Sequence, residues 1–323
     1  MEKVLITGAT GFVGSHTAEL MVRRGYRVFG MVRNSSRAKF LPDNVEPVVC
    51  SLFDPDGIAE HIEDTDYFVH IAGLTKARKR EDFYRVNSES TKILLEALAQ
   101  NSRKLKKFVL ISSQAATRPS SEPIDENIES APLTDYGRSK LLAEQNAKKF
   151  MDKLPITIIR PPAVFGPRDK DIFFYFKLAS MGILPFVGNP DRKFSAIYVE
   201  DLASAILLAM ENPKSAGETF FVTDGKIHTW RKFAEQVGNA INRKKVKVRL
   251  PAFALWIAAF FDETISFISK KPTLLSFQKV RELLAPWVAD SSKIENMLGF
   301  KPKYELKTAI EKTARWYIEH NWI

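Results

Sequence analysis

Apolar residues in the first half of the chain form short continuous runs. These runs are separated by stretches in which apolar residues recur at helical spacing. The runs predict strands at 3–7, 27–32, 46–50, 66–72, 107–112 and 156–160, and the stretches predict helices at 14–25, 84–100 and 135–151. Continuous Val, Ile, Leu and Phe content is typical of parallel strands that are covered on both faces. The alternation predicts a doubly wound α/β domain.

The pattern changes after Pro161, where helical spacing dominates. Helices are predicted at 200–210, 230–241, 272–284 and 306–321. The segments 194–199 and 218–224 are candidate strands that could join either part. We therefore expect a smaller, mostly helical second part with a blurred boundary to the first.

A glycine-rich segment, "ITGATGFVGSH" (6–16), follows the first predicted strand and opens the first predicted helix. Gly8 would allow the tight turn, and Gly11 would let the backbone approach a pyrophosphate. Gly14 would let the helix pack close to the strand. A simple glycine-rich turn is the alternative, but the position in the first β-α unit favours dinucleotide binding.

The 323 residues carry a formal net charge of +10, with basic runs at 76–80, 103–107 and 243–249. Solvated loops and helix ends explain such runs better than a nucleic-acid surface, because no aromatic residues interleave with them. The same charge would suit a phosphorylated ligand. The spacing of the five histidines disfavours a metal site. The single cysteine, Cys50, fits a reducing cytoplasm, and the N-terminal sequence shows no targeting segment.

The most apolar later segment, 251–269, is too short an apolar run to suggest a membrane span. Phe253, Trp256, Phe260 and Phe261 fall at helical spacing. We expect a helix that lines the substrate pocket and is not a membrane anchor. Its apolar face is available to the core or to a ligand, and core packing is the favoured role.

Tyr136 stands four residues before Lys140 in "DYGRSK" (135–140). On a helix the two side chains would share one face, about one turn apart. A nearby cation favours the phenolate form of a tyrosine, so the pair could transfer protons. By itself the spacing is equally compatible with a solvated helix face.

Taken in chain order, these motifs resemble the extended short-chain dehydrogenase/reductase family, which includes the NAD-dependent epimerase/dehydratases. The similarity covers nearly the whole chain, and Tyr198 departs from it where histidine is more usual. Further matching segments are "HIAGLT" (70–75), Asn87, "LISSQAA" (110–116), "RPPAVFGPRD" (160–169), "AIYVEDLA" (196–203) and "LGFKP" (298–302).

The resemblance implies a Rossmann-type dinucleotide-binding domain over 1–165 and a substrate-binding part over 166–323. It implies that Tyr136 is the acid/base, that Lys140 lowers its pKa and binds the nicotinamide ribose, and that Ser113 holds the substrate oxygen. Ser112 is expected to be structural. The implied cofactor contacts are Gly8, Thr10, Gly11, Phe12, Val13, Gly14, Arg33, Leu52, Ala72, Gly73, Tyr136, Lys140 and Pro162.

Arg33 stands at the end of the second strand, where an NAD enzyme usually has a carboxylate, and the next acidic residue is Asp43. Because arginine suits a 2′-phosphate, we expect NADP, with NAD as the alternative. The expected reaction is hydride transfer between NADP(H) and an alcohol/ketone pair. A nucleotide-sugar epimerase or dehydratase with bound NAD and a non-catalytic dinucleotide sensor are the alternatives.

Ala163 stands where nucleotide-sugar members of the family often carry asparagine. The variant resembles the dihydroflavonol reductase and hydroxysteroid dehydrogenase branch, so an apolar or cyclic substrate is expected. Arg168, Lys170 and the run 76–80 count against this, because they could receive a phosphate. A small-molecule substrate is the predicted partner, and a homodimer is left open.

Overall fold

The computed structural model describes residues 1–242, 245–269 and 275–323, with the side chains of 267 and 268 left aside. Its strands are β1 (Lys3–Thr7), β2 (Arg27–Val32), β3 (Val45–Val49), β4 (Tyr67–His70), β5 (Lys107–Ile111), β6 (Ser120–Ile124), β7 (Ile156–Arg160), β8 (Ala163–Phe165), β9 (Ile183–Val187), β10 (Lys193–Phe194), β11 (Ala196–Tyr198), β12 (Thr219–Phe221), β13 (His228–Thr229), β14 (Val246–Leu250) and β15 (Trp287–Ala289).

The α-helices of the described residues are α1 (Phe12–Arg23), α2 (Pro55–Ile62), α3 (Arg80–Tyr84), α4 (Ser90–Asn101), α5 (Asp135–Lys148), α6 (Phe173–Ser180), α7 (Val199–Glu211), α8 (Trp230–Ile241), α9 (Ala252–Ser269), α10 (Phe277–Leu284), α11 (Ser292–Leu298) and α12 (Leu306–Glu319). A π-helical turn, Arg85–Glu89, joins α3 to α4. Short 3₁₀ turns lie at Ser35–Phe40, Gln114–Ala116 and Pro213–Ser215.

Seven of these strands form one parallel sheet in the order β12-β7-β5-β4-β1-β2-β3. The chain runs outward from β1 through β2 to β3 and then returns to place β4 on the other side of β1. The strand order therefore reverses between β1 and β4, which in doubly wound sheets marks the ligand crevice. The predicted fold is confirmed.

Both faces of this sheet are buried, because successive side chains of a strand point to opposite sides. On one face Val4, Ile6 and Val69 pack in a fully buried apolar cluster. On the other, Leu5 and Phe68 belong to a second cluster. This two-sided burial explains why the strands read as continuous apolar runs instead of alternating ones.

Part of the chain after Pro161 returns to the main sheet and does not belong to a separate unit. The candidate strand at 218–224 contains β12, which pairs with β7 at the edge of the main sheet. Three smaller sheets lie outside it, in the orders β13-β10-β15-β6, β11-β8 and β14-β9. The helices predicted around 200, 230 and 306 are present, whereas α10 begins only at Phe277 and residues 272–274 lie outside the described ranges. The division at residue 165 stays a prediction.

The helix predicted over 251–269 is present as α9, but its expected core role is wrong for three residues. Phe253, Phe260 and Phe261 are 63%, 58% and 58% exposed, and only Trp256 of the predicted set stacks, on Phe277. Helical spacing identifies an apolar face without telling which way it points. Within the described ranges, no helix combines the length and the apolar character that crossing a membrane requires.

Candidate active site

The predicted cofactor residues lie together at the carboxyl edge of the main sheet. Gly8 follows β1, Arg33 follows β2, and Gly73 lies just beyond β4. Ser113 lies two residues beyond β5, and Pro162 two residues beyond β7. Parallel strands end at the same edge, so residues far apart in the sequence meet there. Thr10, Gly11, Phe12, Val13 and Gly14 turn into α1 beside them, while Leu52 and Ala72 follow β3 and β4.

The glycine turn is built so that helix α1 points its free N-terminus at this edge. Gly8 has φ +74°, and a Cβ there would come within 2.8 Å of the Ala72 backbone nitrogen. A Cβ on Gly14 would overlap the Gly8 carbonyl oxygen, so only glycine lets the helix pack so closely. Gly11 caps α1 without a side-chain hydrogen bond, and the first turn contains no acidic residue. The N-terminus is therefore suited to a pyrophosphate.

Arg33 lies exposed at the end of β2, next to the adenosine side expected for such a site. Among the described residues it has no hydrogen-bond or ion-pair partner. Its guanidinium is therefore available to a ligand phosphate.

A buried hydrogen-bond network holds the loop after β4 against the glycine turn. The Thr7 hydroxyl lies 2.7 Å from His70 Nδ1 and accepts from the backbone nitrogen of Ala72 at 3.2 Å. Thr91 donates to the Asn87 carbonyl at 2.8 Å, so its oxygen accepts from His70 Nε2 at 3.1 Å. Burial lowers the pKa of His70 to about 3, so the ring is neutral and positions the loop.

Asn87 connects this loop to helix α5. Its amide donates to the Leu74 carbonyl at 3.0 Å and to Ser139 Oγ at 2.9 Å, and its oxygen accepts from the Leu74 nitrogen at 2.7 Å. The residue lies in the π-helical turn, an irregularity that often occurs at functional sites. The sequence match for Asn87 therefore coincides with a structural clamp.

Tyr136 lies in the first turn of α5, with its phenol hydrogen-bonded to the Ser113 side chain. Burial raises the pKa of Tyr136 to about 12, and the Ser113 hydrogen bond only partly opposes this. That Lys140 lowers this pKa stays a prediction. The phenol is protonated at neutral pH.

Lys140 is buried one turn after Tyr136, and its ammonium donates to the Ile111 carbonyl at 2.8 Å. Burial lowers the pKa of Lys140 to about 8, and Glu144 partly opposes the shift. A Cβ on Gly73 would lie 3.1 Å from the lysine Nζ. Lys140 thus faces the loop after β4, where the nicotinamide ribose is expected.

A buried ion pair fixes α5 to the strands that end beneath it. The Arg160 guanidinium grips both oxygens of Glu144 at 2.9 and 2.7 Å, with the side chains 3% and 0% exposed. Ser112 Oγ donates to the same carboxylate at 2.5 Å. Ser112 is therefore occupied structurally, while its neighbour Ser113 points to Tyr136.

A cavity of about 470 Å³ opens in front of Tyr136. Phe83 contributes an apolar wall, and the basic run 76–80 lines another. Glu263 and Ser266 bring α9 to the cavity. The predicted position of α9 beside the pocket agrees with these two contacts. The cavity walls, however, carry more charged side chains than the aromatic sequence of α9 suggested.

Helix α10 contributes a clamp that sequence reasoning missed. Gln278 accepts from the Asp135 backbone nitrogen at 2.7 Å and donates to the Asp135 carboxylate at 2.8 Å. Thr134 Oγ1, which caps α5, donates to Glu282 at 3.2 Å. The clamp holds the helix start that carries Tyr136. No sequence feature links segments 143 residues apart.

The model of the NAD-dependent epimerase/dehydratase family matches residues 4–222. The chain belongs to that family. The match covers the main sheet from β1 to β12, together with Ser113, Tyr136 and Lys140. The predicted family is confirmed, and the chain is an oxidoreductase-type enzyme of the epimerase/dehydratase superfamily. The non-catalytic alternative is disfavoured accordingly.

Individual relatives are similar over most or all of the chain. A ceramide reductase of Caulobacter vibrioides is 29% identical over 99% of this chain and 96% of its own length. A decarboxylating sterol-4-alpha-carboxylate 3-dehydrogenase of Dictyostelium discoideum is 28% identical over 72% of this chain and 74% of its own. The Thermotoga maritima UDP-glucose 4-epimerase structure has a TM-score of 0.82 at 22% identity, with 99% of both chains covered. That last likeness concerns the fold.

Proposed function

We propose that this enzyme reduces the carbonyl group of a largely apolar ketone, using NADPH. One observation carries the proposal: the Tyr136 phenol is hydrogen-bonded to Ser113 at the end of a substrate-sized cavity. At neutral pH such a group has a proton to give and is a poor base. It can therefore give the proton that carbonyl reduction requires.

In this proposal each side chain has a separate task. Tyr136 gives its proton to the carbonyl oxygen, and Ser113 donates a hydrogen bond to the same oxygen. Lys140 would bind the ribose, and its ammonium would stabilise the phenolate that is left when Tyr136 has given up its proton. A bound nicotinamide would supply the hydride to the carbonyl carbon, and the glycine turn would bind its pyrophosphate.

Arg33 supports NADP as the cofactor. Its free guanidinium follows β2, where a carboxylate would otherwise bind the ribose hydroxyls. Guanidinium and phosphate form paired, charge-assisted hydrogen bonds. NADP should therefore bind more tightly than NAD.

Two features support an apolar substrate. Ala163 offers no amide to a sugar diphosphate, and the two similar relatives named above act, by their names, on a ceramide and a sterol. The charged cavity walls imply that the substrate also carries a polar end. An amphiphilic ketone satisfies both requirements.

A nucleotide sugar is the second candidate, because four basic residues of the run 76–80 line the cavity. Two of them are already engaged: Lys76 pairs with Asp171 at 2.5 Å and Arg80 with Asp135 at 3.1 Å. Because these two side chains already have acidic partners, we rank a nucleotide-sugar substrate second.

The test is NADPH oxidation with a panel of cyclic and long-chain keto compounds, beside UDP- and dTDP-hexoses. At least one apolar ketone should be reduced, and the sugar nucleotides should neither react nor raise the melting temperature. Saturable sugar-nucleotide binding that Tyr136→Phe or Ser113→Ala weakens would reverse the ranking.

A further inference from the structure

One face of helix α9 is apolar and exposed from Phe253 to Ile265. Phe253, Ile257, Phe260, Phe261 and Ile265 are 63%, 51%, 58%, 58% and 60% exposed. They recur at i, i+4, i+7, i+8 and i+12, so they form one stripe along the helix. Below, this set is called the α9 stripe.

The acidic residues of α9 are turned away from the stripe. Asp262 accepts from the Leu275 backbone nitrogen at 2.8 Å, and Glu263 accepts from the Phe277 nitrogen at 2.8 Å. Both carboxylates therefore serve the chain that leads into α10. The exposed face is left without a negative charge of its own helix.

Basic residues flank the helix in the sequence. Segment 243–271 contains seven Lys or Arg residues against two acidic ones, with the basic residues placed before β14 ends and directly after α9. On β14, Lys247 and Arg249 are exposed beside the apolar Val246 and Leu250, which are 68% and 40% exposed. Lys247 pairs with Glu235 at 2.8 Å on the exposed surface, where such a pair is weak. The patch thus combines apolar area with positive charge.

The size of the stripe limits what can cover it. Phenylalanine buries about 200 Å², so the exposures of the five side chains amount to roughly 500 Å². That is near the upper end of the largest apolar patch on a typical monomer. A standard protein interface covers about 800 Å² on each partner. About 65% of a homodimer interface is apolar, so the apolar area alone suits either a dimer contact or a helix lying in a lipid surface. The positive charge beside the stripe favours the lipid surface.

We propose that the α9 stripe and its basic flanks dock the protein on a membrane surface that contains anionic lipids. Apolar side chains enter the headgroup boundary, while lysine and arginine bind the lipid phosphates. The helix lies in the plane of the surface and does not cross it. This proposal concerns binding alone and does not depend on the proposed reaction.

Docking also has a consequence for the cavity. Glu263 and Ser266 line it from the face of α9 that points away from the stripe. A helix with its side chains is about 10 Å across. The cavity would then lie about one helix diameter from the lipid, within reach of an amphiphile in that surface.

The experiment is flotation of the full chain with vesicles of phosphatidylcholine, alone or mixed with phosphatidylglycerol. The wild type should float with the mixed vesicles and much less with phosphatidylcholine alone, and added salt should weaken the binding. Ile257→Glu should lower the partition coefficient by at least about tenfold, because a buried isoleucine is replaced by a charge.

Ile318→Glu is the matched control, since Ile318 is also a helical isoleucine and is 52% exposed. It should bind vesicles like the wild type. Phe261→Ser provides a second, uncharged variant with the same expected direction. Melting curves verify that each variant is folded.

Three results would overturn the proposal. The wild type could stay unbound with both kinds of vesicle. Ile257→Glu and Ile318→Glu could reduce binding equally. Light scattering could show a dimer that Ile257→Glu converts to a monomer, which would assign the stripe to a second copy of the chain.

Discussion

Replacing Arg160 by methionine removes the positive half of the ion pair beneath helix α5. Glu144 would remain buried, with the Ser112 hydroxyl as its remaining hydrogen-bond donor. Leaving one partner of a buried pair uncompensated typically costs about 3–5 kcal/mol. Methionine preserves most of the apolar volume, so the lost charge dominates the effect.

This free energy converts into a melting-temperature change through the entropy of unfolding. At about 2.1 cal/mol/K per residue, a chain of 323 residues has an unfolding entropy of about 0.7 kcal/mol/K. A loss of 3–5 kcal/mol then lowers Tm by about 4–7 °C. Turnover should fall as well, because Glu144 holds the helix that carries Tyr136 and Lys140.

Thermal unfolding followed by circular dichroism measures the effect. The matched control is Arg27→Met, because Arg27 grips Glu46 with the same geometry, at 2.7 and 2.9 Å, on an exposed surface. Its Tm should hardly change. The double variant Arg160→Met/Glu144→Leu should regain most of the lost stability. A wild-type Tm for Arg160→Met, or equal losses for both arginines, would refute the reasoning.

Three further predictions concern Arg33, the two serines Ser112 and Ser113, and Asp169. Arg33→Ala should remove most of the preference for NADP over NAD in calorimetry, and equal affinities in the wild type would refute the assignment of Arg33. Ser113→Ala should lower turnover with little change in Tm, whereas Ser112→Ala should lower Tm because Glu144 loses one of its hydrogen-bond donors; the reverse pattern would contradict this division of roles. Burial raises the pKa of Asp169 to about 7. This group therefore stabilises the fold fully below about pH 4 and loses that contribution as the pH rises to 7. The Tm of Asp169→Asn relative to wild type should rise over that interval, and a pH-independent difference would contradict the shift.

The sheet could be predicted from the sequence because strands that are buried on both faces are continuous runs of apolar residues. Strands β1, β2, β4, β5 and β7 are continuous apolar runs, and the predicted bounds differ from the observed ones by a few residues at most. The glycine turn and the spacing of Tyr136 and Lys140 are likewise local. Together they predict a dinucleotide site and place Tyr136 and Lys140 on one helix face.

Features that depend on direction or on distant contacts were not predictable. Helical spacing grouped Phe253, Phe260 and Phe261 on one face, but burial depends on what packs against that face. The spacing of Tyr136 and Lys140 likewise did not show that the ammonium bonds the Ile111 carbonyl. Contacts such as Asp135 with Gln278 join distant segments and leave no local pattern.

The central claim is that Tyr136 is the proton donor for carbonyl reduction. The most direct measurement compares Tyr136→Phe with the wild type, both for NADPH affinity and for turnover of a ketone that the wild type reduces. Tyr26→Phe is the control, because Tyr26 donates to Glu211 on another part of the surface. The account predicts unchanged NADPH affinity and a turnover lower by about 10²–10⁴-fold for Tyr136→Phe alone. Near-normal turnover in Tyr136→Phe would contradict it.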